Sequence, residues 1–77
     1  MFEEIKELLV EEMSIEGELV TPEAEFVKDL GFNSLEIADL VVMCEDKYGV
    51  ELDEDRLKAL FTVGSFCEYL TEVTAGK

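Results

Sequence analysis

Apolar residues recur along the chain at the three-to-four-residue spacing of helices, and no stretch alternates apolar and polar residues over a convincing strand length. Phe2, Ile5, Leu8, Leu9 and Met13 cluster on one side of a helical projection, with Glu3, Glu4, Glu7 and Glu11 largely on the other. This predicts an amphipathic first helix over about Phe2–Met13. A long connection from about Ser14 to Asn33 follows, containing Gly17, Thr21, Pro22 and Gly31. Phe26, Val27 and Leu30 are spaced to pin it down, as a single turn. Connections of that length are uncommon in compact domains and are often functional. The second helix is expected to start at Asn33 or Ser34, because Asn33 followed by Glu36 resembles a capping box, and to end near Tyr48–Gly49. A short third helix, about Asp53–Leu60, presents Leu57 and Leu60. Thr62 or Ser65 opens the last, in which Phe66, Leu70 and Val73 share a face and Thr74–Lys77 frays. The expected fold is all-α, a small bundle of three main helices plus one short helix in a single domain over 1–77, with no internal repeat.

Composition narrows the function. A domain of 77 residues buries roughly 60% of the surface its unfolded chain exposes, so a deep substrate cleft is not expected. The 48% hydrophobic content excludes a wholly disordered chain, yet no apolar run nears the roughly 20 residues of a membrane span. The opening Met-Phe-Glu-Glu lacks the basic start of a secretory signal, so a soluble, cytoplasmic protein is expected. With 20 acidic and 6 basic residues the formal charge is −14, which argues against nucleic acid and anionic membranes and for a monomer that meets partners carrying a basic patch. From Asp29 to Asp46 there is no Lys or Arg, while Asp29, Glu36, Asp39, Glu45 and Asp46 all fall there, either as a solubilising surface or as an interaction surface.

Several chemistries drop out. Cys44 and Cys67 are too few and too far apart for a zinc knuckle, histidine is absent, and both cysteines fall in apolar helical patterns, so they read as buried free thiols. No metal is expected. The acidic stretch Glu51–Arg56 lacks the glycine of a calcium-binding helix-loop-helix, and the fold is too small to present a sugar cleft to paired carboxylates.

At about 100° per residue the faces of the middle helix can be sorted. Ile37, Leu40, Val41, Cys44 and Tyr48 form the core stripe. The opposite face carries Leu35, Asp39, Val42 and Asp46, with Glu36 and Glu45 toward its flanks. The interleaved aliphatics are either chance surface residues or a docking stripe, in which carboxylates steer a basic partner and aliphatic side chains supply burial. Ser34 stands at the top of that face. A serine at a helix start is usually a cap; if Asn33 caps instead, Ser34 takes the first helical position with a free hydroxyl beside amide donors that favour a phosphate. Nucleophilic catalysis by Ser34 itself is not expected, because the chain has no histidine and its few lysines lie far off in sequence.

The run Phe26-Val27-Lys28-Asp29-Leu30-Gly31-Phe32-Asn33-Ser34-Leu35-Glu36, followed by Leu40-Val41-Val42 and Glu45-Asp46-Lys47-Tyr48-Gly49-Val50-Glu51-Leu52, resembles the acyl carrier protein family over nearly the whole chain. The resemblance implies that a phosphopantetheinyl transferase, aided by magnesium, moves a 4′-phosphopantetheine arm from coenzyme A onto Ser34. The arm's thiol then holds acyl groups as thioesters while the carrier performs no chemistry of its own. It implies partner recognition through Leu35, Glu36, Asp39, Val42, Glu45 and Asp46, by acyl-transferring or synthase enzymes with basic docking patches. Leu40, Cys44, Leu57 and Leu60 resemble positions that part to admit an acyl chain. One departure is Asn33, where the family usually has aspartate, which leaves room for a specialised carrier in polyketide or nonribosomal-peptide biosynthesis beside one of fatty-acid synthesis. The alternative is a non-acylated acidic helical interaction module with the same fold.

Overall fold

A computed structural model describes residues 1–75. Four α-helices follow one another: α1 (Phe2–Met13), α2 (Ser34–Tyr48), α3 (Glu54–Leu57) and α4 (Val63–Ala75), with one 3₁₀ turn at Gly17–Leu19. This is the small all-α bundle of three long helices and one short one that the periodicity predicts.

The helix ends follow local chemistry. Asn33 caps α2, and Gly49 stops it in the left-handed region at φ 64°, its amide donating to the Glu45 carbonyl. Thr62 caps α4: its Oγ1 accepts from the Ser65 amide at 3.2 Å, and Ser65 Oγ accepts from the Thr62 amide at 3.3 Å. Thr62 and Ser65, which the sequence offers as alternative starts, thus act together as cap and third helical residue. At the far end, Thr74 and Ala75 remain helical, with Thr74 Oγ1 donating to the Leu70 carbonyl at 2.8 Å, so the expected fraying does not extend to them. Gly76 and Lys77 lie outside the described residues. Helix α3 is shorter than its apolar pattern predicts. After Leu57 the bonds tighten to Ala59 N–H to Arg56 O and Leu60 N–H to Leu57 O, because the chain must leave the helix for Phe61 to accept the Phe26 amide at 3.0 Å.

One apolar cluster joins the helices. Ile5 and Leu9 of α1, Leu40 and Cys44 of α2, and Val63 and Leu70 of α4 are buried at its centre. The long connection contributes as well, through Val20, Ala24, Phe26, Leu30 and Phe32. Phe26 stacks on Phe32 at 5.8 Å between ring centroids and meets Phe66 edge-on at 5.6 Å. The backbone of this connection is stitched to the start of α4 by Val63 N–H to Ala24 O and Gly64 N–H to Pro22 O, both 2.9 Å. The connection between α1 and α2 is therefore an ordered strap. Four expected core positions differ. Val27 is 63% exposed, and the stripe residues Ile37, Val41 and Tyr48 are only half-buried. Tyr48 is held at the surface by its hydroxyl, which donates to Glu4 at 2.9 Å, and the other three border the cleft described below.

Two positions set backbone-level tests. Ser14, the residue after α1, sits at φ 57°, a conformation that costs an L residue about 1 kcal/mol or more. Ser14→Gly should stabilise the fold by about 0.5–1 kcal/mol and raise the melting temperature by about 2–6 °C in a calorimetric scan. At Gly64 an added Cβ would fall 2.8 Å from the Pro22 carbonyl oxygen. Gly64→Ala should therefore cost about 1–3 kcal/mol in urea unfolding by prising the strap from α4.

Candidate functional site at the head of the second helix

The strap delivers the chain to α2 through Gly31 and Phe32. Gly31 sits at φ 72°, where an added Cβ would meet nothing within 4 Å, so its requirement is conformational and not one of space. Phe32 is 2% exposed and anchors the turn in the core. Asn33 then accepts the Glu36 amide on Oδ1 at 2.9 Å, while Glu36 Oε1 accepts the Asn33 amide at 3.2 Å. This reciprocal capping box satisfies two of the donors that a helix start leaves unpaired. Ser34 is the next residue, the first of α2, and it is exposed. Among the described residues its hydroxyl has no hydrogen-bond partner. Of the two roles open to Ser34 in the sequence, capping is thus performed by its neighbour.

Below Ser34 the exposed face of α2 carries Leu35, Asp39, Val42 and Asp46, with Leu35 77% and Val42 56% exposed. Glu36 and Glu45 are half-buried, and each is already engaged with backbone: Glu36 with Asn33, and Glu45 through Oε2 with the Leu52 amide at 2.9 Å. The six residues singled out for recognition therefore divide into an outer row of four and two flanking carboxylates tied to the loops at either end.

Between α2 and α3 lies a cleft of about 680 Å³, which the small size of the chain did not lead us to expect. Ser34 stands on its rim; Ile37, Leu40 and Val41 form one wall, and Leu57 and Leu60 the other. The cleft exists because α3 is a single turn, too short to cover the apolar face of α2. Cys44, grouped with Leu40, Leu57 and Leu60 by resemblance, lies in the core and not on this wall. Two exposed residues stand on the rim without having been expected there: Val27 of the strap, which the spacing offers as a pin, and Phe61, 66% exposed, ahead of α4. Their signal lies in the fold, since the hydrogen bond from Phe26 N–H to Phe61 O brings the two segments together.

Both thiols are buried, and burial pushes Cys44 up to about 12 and Cys67 up to about 11, so both are protonated at neutral pH. No group of residues suited to hold a metal ion occurs among the described residues. The arrangement suits covalent attachment of a phosphate-bearing group at Ser34. The hydroxyl is accessible and unengaged, no hydrogen bond from the Ser34 or Leu35 amide reaches a described residue, and the helix dipole favours an anion there. An apolar cleft opens beside it.

Comparison with known proteins agrees with this geometry. Residues 3–70 match the family described as "Phosphopantetheine attachment site". The acyl carrier protein of Helicobacter pylori (strain G27) is 38% identical over 72 residues, covering 94% of this chain and 92% of that protein. That of Helicobacter acinonychis (strain Sheeba) is 35% identical over the same shares of the two chains.

The buried, protonated state of the thiols is testable. Ellman's reagent should modify Cys44 and Cys67 in the native protein at least about a hundredfold more slowly than in the urea-unfolded chain at the same pH, followed by absorbance.

Proposed function

The chain belongs to the acyl carrier protein family, whose members carry a covalent 4′-phosphopantetheine, and from that premise we propose that Ser34 is the residue to which the arm is joined. The observation that supports this assignment is the division of labour at the head of α2, where Asn33 and Glu36 cap the helix and leave the Ser34 hydroxyl exposed and unengaged. Attachment makes one bond and breaks one. On a phosphopantetheinyl transferase, Ser34 Oγ gives up its proton, which passes to solvent, and bonds the phosphorus of the arm as the pyrophosphate P–O bond of coenzyme A breaks and adenosine 3′,5′-bisphosphate departs. The arm supplies a terminal thiol on which an acyl group rides as a thioester.

The rest of the chain positions that cargo. The first-turn amides and dipole of α2 stabilise the phosphodiester at Ser34. The apolar walls of the cleft, with Leu40, Leu57 and Leu60 among them, offer an acyl chain a place out of water. Leu35, Asp39, Val42 and Asp46, flanked by Glu36 and Glu45, form the docking face for transferases and synthases with basic patches, where long-range attraction to a chain of charge −14 speeds encounter. Catalysis belongs to those partners: the chain has no histidine, and its thiols are buried and protonated. The same charge supports a monomer through self-repulsion, and free cysteines suit the reducing cytoplasm. No helix among the described residues is long and apolar enough to cross a membrane.

Incubation of the apo chain with coenzyme A, magnesium and a promiscuous phosphopantetheinyl transferase should add one phosphopantetheine by intact mass, and Ser34→Ala should abolish the gain. No gain, with the transferase shown active on another carrier, would overturn the assignment, as would a gain that survives Ser34→Ala.

A further inference from the structure

Lys58 is far from Ser34 in sequence, yet the fold sets both on the border of one cleft. The two cations at α3 part company. Arg56 turns to α4, lying 4.4 Å over the Tyr69 ring and pairing with Glu72 at 3.1 Å. Lys58, the residue that closes α3, donates its amide to the Glu54 carbonyl at 3.2 Å and borders the cleft instead. It is exposed, and among the described residues no ion pair engages its ammonium group. A lysine in such a place lays its methylenes along the apolar wall and keeps its nitrogen at the mouth. No other Lys or Arg borders the cleft among the described residues; Lys28 follows Val27 on the strap but lies off the lining.

A thioester carried on an arm at Ser34 meets few nucleophiles in that cleft. Glu25, Glu45 and Glu54 also border it, but a carboxylate that attacks a thioester gives an anhydride, which water or the released thiol undoes. The Cys44 thiol lies in the core and is absent from the wall. An amine gives an amide, which persists. We infer that Lys58 is an acyl-acceptor site, whose amine takes the acyl group from the arm of its own chain by an S-to-N transfer. Nζ attacks the thioester carbonyl as the free amine. The C–N bond forms, the C–S bond breaks, and the proton lost by the nitrogen ends on the departing thiolate, so the arm regains its thiol and no co-reactant is consumed. Tethering raises the concentration of thioester at Lys58 to about the millimolar range, far above that of any free acyl donor at trace level. The product is an acyl-lysine at the mouth of the cleft, and its cargo is lost to the arm unless a partner enzyme removes it first. The inference rests on the attachment at Ser34 and the cargo cleft proposed above.

The test uses the full chain loaded from octanoyl-coenzyme A by a promiscuous transferase, freed of unreacted coenzyme A, and held at mildly alkaline pH. Hydroxylamine then cleaves thioesters and spares amides. Intact mass should show an octanoyl group that survives hydroxylamine, and peptide mapping should place about tenfold more of it on Lys58 than on Lys28 or any other amine. Lys58→Arg, which keeps the charge but offers no acylable amine, should load equally well and lower the resistant mass about tenfold. The Ser34→Ala chain, given free octanoyl-coenzyme A at the same concentration, should show no preference for Lys58. Octanoyl spread evenly over the lysines, a resistant adduct undiminished by Lys58→Arg, or no resistant adduct at all would overturn the site. A fractional yield that rises with protein concentration, or an equal preference for Lys58 in Ser34→Ala, would overturn the intramolecular route. Failure at Ser34 itself is seen before the incubation, as a chain that gains no phosphopantetheine in the intact mass.

Discussion

Asn33 and Glu36 exchange two hydrogen bonds across the first turn of α2, and most of what the chain does depends on that exchange. A helix start that is not capped by a side chain recruits whatever hydroxyl stands nearest. Here the nearest is Ser34, and the box keeps it out of that role. The same two bonds fix where the strap ends and where α2 begins, which sets the register of every side chain below. Leu35, Asp39, Val42 and Asp46 point outward, and Leu40 and Cys44 inward, because the helix starts at Ser34 and not a residue earlier or later.

The second constraint is the brevity of α3. A single helical turn cannot cover the apolar side of α2, so Ile37 and Val41 stay half-buried and border a cleft where a longer helix would have closed the core. A small domain ordinarily lacks the interior for a binding cavity. This chain gains one by leaving a core seam unfilled, next to a serine whose hydroxyl is spare. Attachment point, docking face and cleft are thus three consequences of how one helix is started, faced and incompletely covered.

Much of this was readable from residue order. The helical spans, the capping box and the glycine stop at Gly49 are local, carried by residues within one turn of each other, and local chemistry survives in a sequence. The outward row on α2 is likewise a matter of periodicity. What was not readable depends on contacts between distant segments. Val27 looked like a pin for the connection, but Phe26 and Leu30 fill the core and turn Val27 to the rim. The end of α3 is dictated by Phe61 pairing with Phe26, and the cleft by the length of helix that remains. Likewise Glu45 reads as one surface carboxylate among many until the fold brings Leu52 under it.

The membership of the family names the kind of cargo arm, and the geometry explains why this particular hydroxyl is free to hold it. The most direct measurement is the unfolding free energy in urea of the apo Asn33→Ala and Ser34→Ala chains. Loss of the Asn33 cap should cost about 1 kcal/mol, whereas Ser34→Ala should stay within about 0.5 kcal/mol of wild type. A Ser34→Ala chain destabilised as much as Asn33→Ala would contradict the account, because the serine hydroxyl would then be serving the helix and would not be spare.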